Sequence, residues 1–373
     1  MKKKILFIMH MPPPVHGAAM VGKNIHDSKC INELYDCNYI NPSLSSNVAS
    51  VGKVSFKKLL IVVKLIMQIC TTIKKTNPDL CYYTPTSDGW GIFKDALVIK
   101  LMKAFGAKRI ILHMHNKGVL SFSKKRLARI AYKMMFKDNK IILLAKELRS
   151  DLASFVDDSQ LFYLGNGMPA TITDEEYDKI EASRITIDRQ IRILYLSNMM
   201  SEKGIWVLLE AARILKERQI NFHLDYVGNW GDTTFEQFTN KVAEFGLQNN
   251  VTVNGPKYGM DKVEFFKKSN VFCFPTYYHG ECYPLVLIEA MEYGLPCIST
   301  PEGGIPSIIK DNENGFLCPQ KDAIAIANKL IYLSQNIDVA KIIANSSRDT
   351  FQSKCSLSLF EVGLIRILGQ CID

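Results

Sequence analysis

Short apolar runs alternate with longer amphipathic stretches along this chain. The runs 4–9, 80–83, 109–112 and 140–144 lie between segments of helical spacing, and the pattern resumes at 191–196, 222–227, 251–253, 271–274 and 297–299. Continuous short apolar runs set between helices predict parallel strands buried on both faces. The series breaks at Gly165-Asn166-Gly167-Met168-Pro169, and the polar, acidic stretch 171–190 behind it reads as a linker. The expected architecture is α/β, with two doubly wound domains, 1–168 and 169–354, facing each other across a cleft.

Composition narrows this picture. Hydrophobic residues at 47% and charged residues at 22% exclude disorder for most of the 373 residues. The most apolar stretch, 59–70, is cut by Lys64 and Gln68 and falls short of the ~18 apolar residues that a membrane span needs. The basic start, Met1-Lys2-Lys3-Lys4, is followed by too short an apolar run for a signal core, so it reads as the first strand. Ten scattered cysteines, with no C-x-x-C pair, indicate reduced thiols and a cytoplasmic location. Charge is uneven: residues 1–150 hold 26 Lys and Arg against 8 Asp and Glu, and the remainder hold 20 against 29. So basic a first half is expected to meet a polyanionic partner: a phosphate-rich ligand, nucleic acid or an anionic membrane surface.

The densest chemistry follows the apolar run 271–274. Pro275 to Gly294 carries Glu281 in a loop, Pro284 at a helix start, Glu289 in the second helical turn and Gly294 at the helix end. The loop would leave the carboxyl end of a parallel strand, where open sheets bind ligands. The amides of Tyr283, Leu285 and Val286 would surround the positive end of that helix and favour an anion. Carboxylates beside an anion site suit hydroxyl groups, and a glutamate accepting from vicinal hydroxyls is sugar or ribose chemistry. The blander reading makes Glu281 a surface loop residue and Glu289 a solvated helix residue; the preceding strand, Pro284 and Gly294 weigh against it.

The segment 274–294, with Gly303-Gly304 and Asn314-Gly315-Phe316-Leu317 behind it, resembles the signature of the family-four (group 1) retaining GT-B glycosyltransferases, which use nucleotide-sugar donors. The resemblance extends to Pro12-Pro13-Pro14-Val15-His16-Gly17, to Asn166-Gly167, and to 196–204, which stands where the family has G-R-x-x-x-x-K-G. It implies a GT-B fold whose last stretch, 355–373, crosses back to the first domain. It also implies roles for particular residues. Glu281 would contact hydroxyls of the donor sugar, Glu289 would bind the ribose, Lys203 would neutralise the departing diphosphate, and Gly17 would let its loop approach that diphosphate. His115 would lie close to the reacting sugar. Asn198 stands where the family has arginine, so one phosphate-binding cation is missing from the donor-binding set. A fixed ammonium and helix amides can carry the leaving-group charge without a divalent ion, and no D-x-D occurs. No metal and no cofactor are expected. The expected partners are the nucleotide-sugar donor and a glycan or lipid-linked acceptor of surface polysaccharide synthesis, on the inner face of the cytoplasmic membrane. Because Glu281 and Lys203 fall in loops, their replacement by alanine is expected to change stability by less than ~1 kcal/mol.

Other features are weighed against this reading. Gly17 to Lys23 has the spacing of a phosphate-binding G-x-x-x-x-G-K loop, but Asn24 replaces the Ser or Thr that would hold magnesium, so Lys23 reads as a solvated helix residue. His113 and His115 share one face of a strand and would merely pack there on the bland reading; His10, His16 and His279 lie in the expected site loops. Basic residues stand beside apolar ones at helical spacing in 54–75 and 124–140, which fits either ordinary packing or contact with anionic lipid. These runs lack the interleaved aromatics of a nucleic-acid binder, and no nucleic-acid partner is expected. A sugar-nucleotide-binding protein without transfer activity is the alternative that Asn198 motivates. An epimerase or hydrolase of the same shape would need a base that the sequence does not offer.

Overall fold

The computed structural model describes residues 1–42, 56–185 and 190–372, with side chains omitted at 56–59 and 185. The chain divides into two units, Met1–Gly167 with Leu357–Asp373, and Met168–Ser356.

The first unit is built on six parallel strands: β1 (Lys4–Ile8), β2 (Asp36–Ile40), β3 (Leu80–Tyr83), β4 (Ile110–Met114), β5 (Lys140–Leu143) and β6 (Leu161–Tyr163), in the order β2-β1-β3-β4-β5-β6. Every residue of β3 and β4 is buried, as expected of parallel strands covered on both faces by helices. The helix Leu357–Ile372 closes this unit, burying Phe360, Leu364, Ile367 and Leu368.

The second unit has its own parallel sheet: β7 (Ile191–Leu196), β8 (Phe222–Val227), β9 (Val251–Val253), β10 (Val271–Phe274), β11 (Cys297–Ser299) and β12 (Gly315–Leu317), in the order β12-β11-β10-β7-β8-β9. Chain order runs outward in opposite directions from the β7/β10 pair, so the loops leaving those two strands part there. This is the topological switch point at which open α/β sheets bind ligands.

Two local expectations change. Strands β2, β6 and β12 go beyond the runs read from sequence; all three are sheet edges, β2 (Asp36–Ile40) is largely half-exposed and broken by Asp36 and Asn38, and β6 (Leu161–Tyr163) and β12 (Gly315–Leu317) are three residues each. The stretch 171–190 is not a free linker. The helix Asp174–Ile185 packs onto the second unit, with Tyr177 buried. The Glu292 carboxylate, buried and raised above its usual pKa mainly by that burial, accepts from Thr171 Oγ1 at 2.8 Å and Ile172 N at 3.1 Å. Residues 186–189 of that stretch, and 54–55 of the basic run 54–75, lie outside the described residues.

Candidate functional site

In the second unit the loop after β7 ends in a turn, Ser201–Lys203, closed by Gly204. Gly204 sits at φ +86°, and a Cβ there would lie 2.2 Å from the carbonyl oxygen of Pro275. Only glycine allows both the left-handed backbone and this approach to the loop after β10. Two hydrogen bonds then join the loops: Tyr277 N donates to Glu202 O at 2.8 Å, and Thr276 Oγ1 to the same oxygen at 3.3 Å. The Glu281 backbone is fixed from the other side. Gly303, at φ +57°, would place a Cβ 2.2 Å from Glu281 O, and Gly304 N donates to Cys282 O at 2.7 Å.

These constraints bring Lys203 and Glu281 together. Lys203 Nζ lies 2.6 Å from Glu281 Oε2, with the two side chains 15% and 9% exposed. The ammonium also stands 4.5 Å from the centre of the Tyr278 ring, a cation–π contact. Both residues are thus largely sequestered ion-pair partners, not free loop side chains, so the expected cost of losing either rises above ~1 kcal/mol. Glu289, in the helix Leu285–Glu292, has a cation of its own: Lys262 Nζ lies 2.6 Å from its Oε1, with side chains 25% and 15% exposed. Each carboxylate of the E-x7-E segment therefore carries one lysine.

Pro284 caps the helix Leu285–Glu292 with extended backbone, one position before the first helical residue. Tyr283, Leu285 and Val286 are partly buried against the core, and the helix start they form presents amide groups with no intrahelical acceptor. Asn198 is exposed; its carbonyl accepts from Tyr195 Oη at 3.2 Å and Met200 N at 2.9 Å, which ties down the backbone of the loop after β7. His279 is largely exposed, with Nδ1 3.5 Å from Glu202 Oε2. Sequence reasoning did not single out Lys262. Its only signal was a basic residue early in the helix Gly259–Lys268, which follows β9, and nothing local linked it to Glu289.

Gly17 and His115 belong to the first unit. Gly17 opens the helix Gly17–Asp27, whose N-cap is His16, with Nδ1 accepting from Ala19 N at 3.3 Å. Lys23 pairs with Asp27 at 2.5 Å, both side chains about half exposed, which is the solvated role expected of it. His115, just past β4, is half-buried; its ring centroid is 4.2 Å from that of His113, and those of His10 and His16 are 5.8 Å apart. Burial first, then the nearby His10 and His16, push His115 down to about 3. Burial first, then Lys94 and His16, push His10 down to about 4. Burial also lowers His16 and, with His115, lowers the fully buried His113. These imidazoles are neutral at pH 7, suited to exchanging hydrogen bonds with hydroxyl groups. Among the described residues, no group of three or more His, Cys, Asp or Glu is arranged to hold a metal ion.

Residues 177–350 match the model of a family described as glycosyl transferases group 1. The amylovoran biosynthesis glycosyltransferase AmsK of Erwinia amylovora is 32% identical over 165 residues, 43% of this chain and 40% of that protein. The capsular polysaccharide biosynthesis glycosyltransferase CapM of Staphylococcus aureus is 24% identical over 265 residues, 69% of this chain and 64% of that protein. The chain thus spans about two-fifths to two-thirds of the length of these relatives. The solved structure of Anabaena Alr3699/HepE in complex with UDP superposes with a TM-score of 0.74 at 15% identity, covering 98% of this chain and 100% of that one. At that identity the likeness establishes the fold, and the fold is that of the GT-B glycosyltransferases.

Proposed function

Because residues 177–350 belong to the glycosyl transferases group 1, we propose that this chain transfers a sugar, with retention at the anomeric carbon, from a nucleoside-diphosphate sugar to a glycan or lipid-linked acceptor in surface polysaccharide synthesis. The observation that carries the reading is the Lys203–Glu281 pair, 2.6 Å apart at the β7/β10 switch point. In this reading Glu281 accepts from donor-sugar hydroxyls, Glu289 accepts from the ribose, and Lys203 turns toward the diphosphate. The leaving group gains negative charge as the glycosidic bond breaks. An ammonium held nearby, together with the amides opening the helix Leu285–Glu292, stabilises that charge most in the transition state. The neutral His115 serves as a hydrogen-bond partner to the reacting sugar. The exposed Asn198 does not replace the missing arginine, so Lys203 carries more of the phosphate charge. The relatives' names, which refer to capsular polysaccharide and amylovoran biosynthesis, support the acceptor class. The UDP of the Anabaena structure supports a nucleotide-sugar donor.

No metal takes part in this reading, since protein groups do the electrostatic work. Sugar transfer measured with a panel of nucleotide sugars, with and without excess chelator, tests both points. Binding of a nucleotide sugar with no transfer to any acceptor would favour the binding-protein alternative. Strict dependence on added divalent ion would remove the leaving-group argument.

The acceptor is reached at an anionic membrane surface. In the first unit the helices Phe56–Thr76, Gly91–Ala104 and Arg126–Phe136 pack side by side. Their outward side chains include Met67, Leu97, Leu127 and Ile130, each more than 45% exposed, with Arg126, Arg129 and Lys133 also exposed. Apolar side chains flanked by cations suit an interfacial site, each cation contributing about 1 kcal/mol near anionic lipid. Among the described residues no helix is long and apolar enough to cross a membrane. Co-sedimentation with anionic and neutral vesicles at low and high salt decides the point. Equal binding to both kinds, or binding to neither, removes the membrane reading.

A further inference from the structure

Glu289 meets a fixed cation, and the cation comes from a separate element. Lys262, the fourth residue of the helix Gly259–Lys268, reaches across to Glu289 Oε1 at 2.6 Å. Among the described residues it is the polar partner of that carboxylate, and it engages one oxygen. We propose that Lys262 is a positioning residue for ribose recognition: it holds Glu289 in the rotamer that presents its second oxygen, Oε2, to the sugar's vicinal hydroxyls. The proposal rests on the reading of the second unit as a nucleotide-sugar site.

A free glutamate has several rotatable bonds, and ordering them on binding opposes affinity. An ammonium at 2.6 Å orders the carboxylate before the ligand arrives, and the low exposure of both side chains, 25% and 15%, limits competition from water. Lys262 then acts through Glu289, so removing it should weaken a ligand that bears the hydroxyls and spare one that lacks them. The competing role is a tether between the helices Gly259–Lys268 and Leu285–Glu292. Loss of a tether would weaken both ligands alike, or neither.

The test is isothermal titration of the full chain with uridine diphosphate and its 2′,3′-dideoxy analogue, repeated with the guanosine pair if uridine does not bind. The wild type should prefer the ribonucleotide. Lys262→Met should reduce that preference about tenfold by weakening the ribonucleotide alone, the scale of one charge-assisted hydrogen bond. Lys262→Arg should keep most of it. A Lys262→Met protein that retains the wild-type ratio, whatever its absolute affinities, overturns the proposal. A wild type that binds without any ribose preference overturns the role of Glu289, and Lys262 with it. A wild type that binds neither nucleotide overturns the reading of the second unit itself.

Discussion

Replacing Lys203 by methionine keeps the length of the side chain and removes its charge, leaving the Glu281 carboxylate, 9% exposed, without its ammonium. At the observed 2.6 Å, and an effective dielectric of about 20, the direct attraction is about 6 kcal/mol. Lys203 is still 15% exposed, and the unfolded chain recovers full hydration of both ions. The net loss on breaking the pair should therefore be about 2–3 kcal/mol, near the low end for buried pairs. Neutralising both ends, in Lys203→Met/Glu281→Gln, should restore most of that stability, because no unpaired ion remains. Turnover should behave differently. The single and the double variant should both lose at least about a hundredfold in kcat, since neither can stabilise the departing diphosphate. Urea unfolding of the wild type, Lys203→Met, Glu281→Gln and the double variant gives the coupling between the two side chains, and initial rates with a nucleotide-sugar donor give the catalytic part. If the double variant is no more stable than Lys203→Met, the pair is screened by solvent and the electrostatic account of this loop is wrong. A correctly folded Lys203→Met protein with near-normal kcat would remove Lys203 from the site.

Gly303→Ala should lower both stability and turnover, because its Cβ would lie 2.2 Å from Glu281 O at a φ of +57°; a variant indistinguishable from wild type in urea melts and initial rates contradicts the close packing. His10 and His115, lowered to about 4 and about 3, bind fewer protons folded than unfolded below pH ~6.5. Stability should therefore be complete above pH ~6.5 and fall as the pH drops toward 4; His115→Gln should flatten that slope in urea melts, and an unchanged slope counts against the neutral imidazole. Leu127→Glu with Ile130→Glu, both outward on the helix Arg126–Phe136, should reduce anionic-vesicle binding while leaving the melting temperature within a few degrees; undiminished co-sedimentation would place the contact elsewhere.

Several features of the molecule are written in short stretches of sequence. The runs behind β1, β3, β4, β5 and β7 to β11 are legible because parallel strands covered by helices are largely apolar, even where Arg192, His223 or Asp225 interrupts the run. The span from Phe274 to Gly294 is legible because strand, loop, Pro284, two glutamates and the closing glycine follow one another within a single β–loop–α unit. Among the strands not read from sequence, β2 is an edge that tolerates polar residues such as Asp36 and Asn38, whereas β6 and β12 are three residues each. The segment 171–185 reads as a linker because its helix buries little beyond Tyr177, and its place comes from Glu292 bonding Ile172 and Arg348 bonding Asp174, each more than a hundred residues away.

The chain thus determines, from local pattern alone, where most of its strands lie and which two carboxylates stand in the loop and helix that follow β10. Tertiary structure decides what those carboxylates meet. Lys203 lies 78 residues before Glu281, and Lys262 lies 27 before Glu289, in different elements of the sheet and its cover. Periodicity, caps and glycines report on neighbours within a turn or a strand, where the backbone fixes distances. Ion pairing depends on separation in space, and only the strand order β10-β7-β8-β9 brings these lysines within 2.6 Å of their partners.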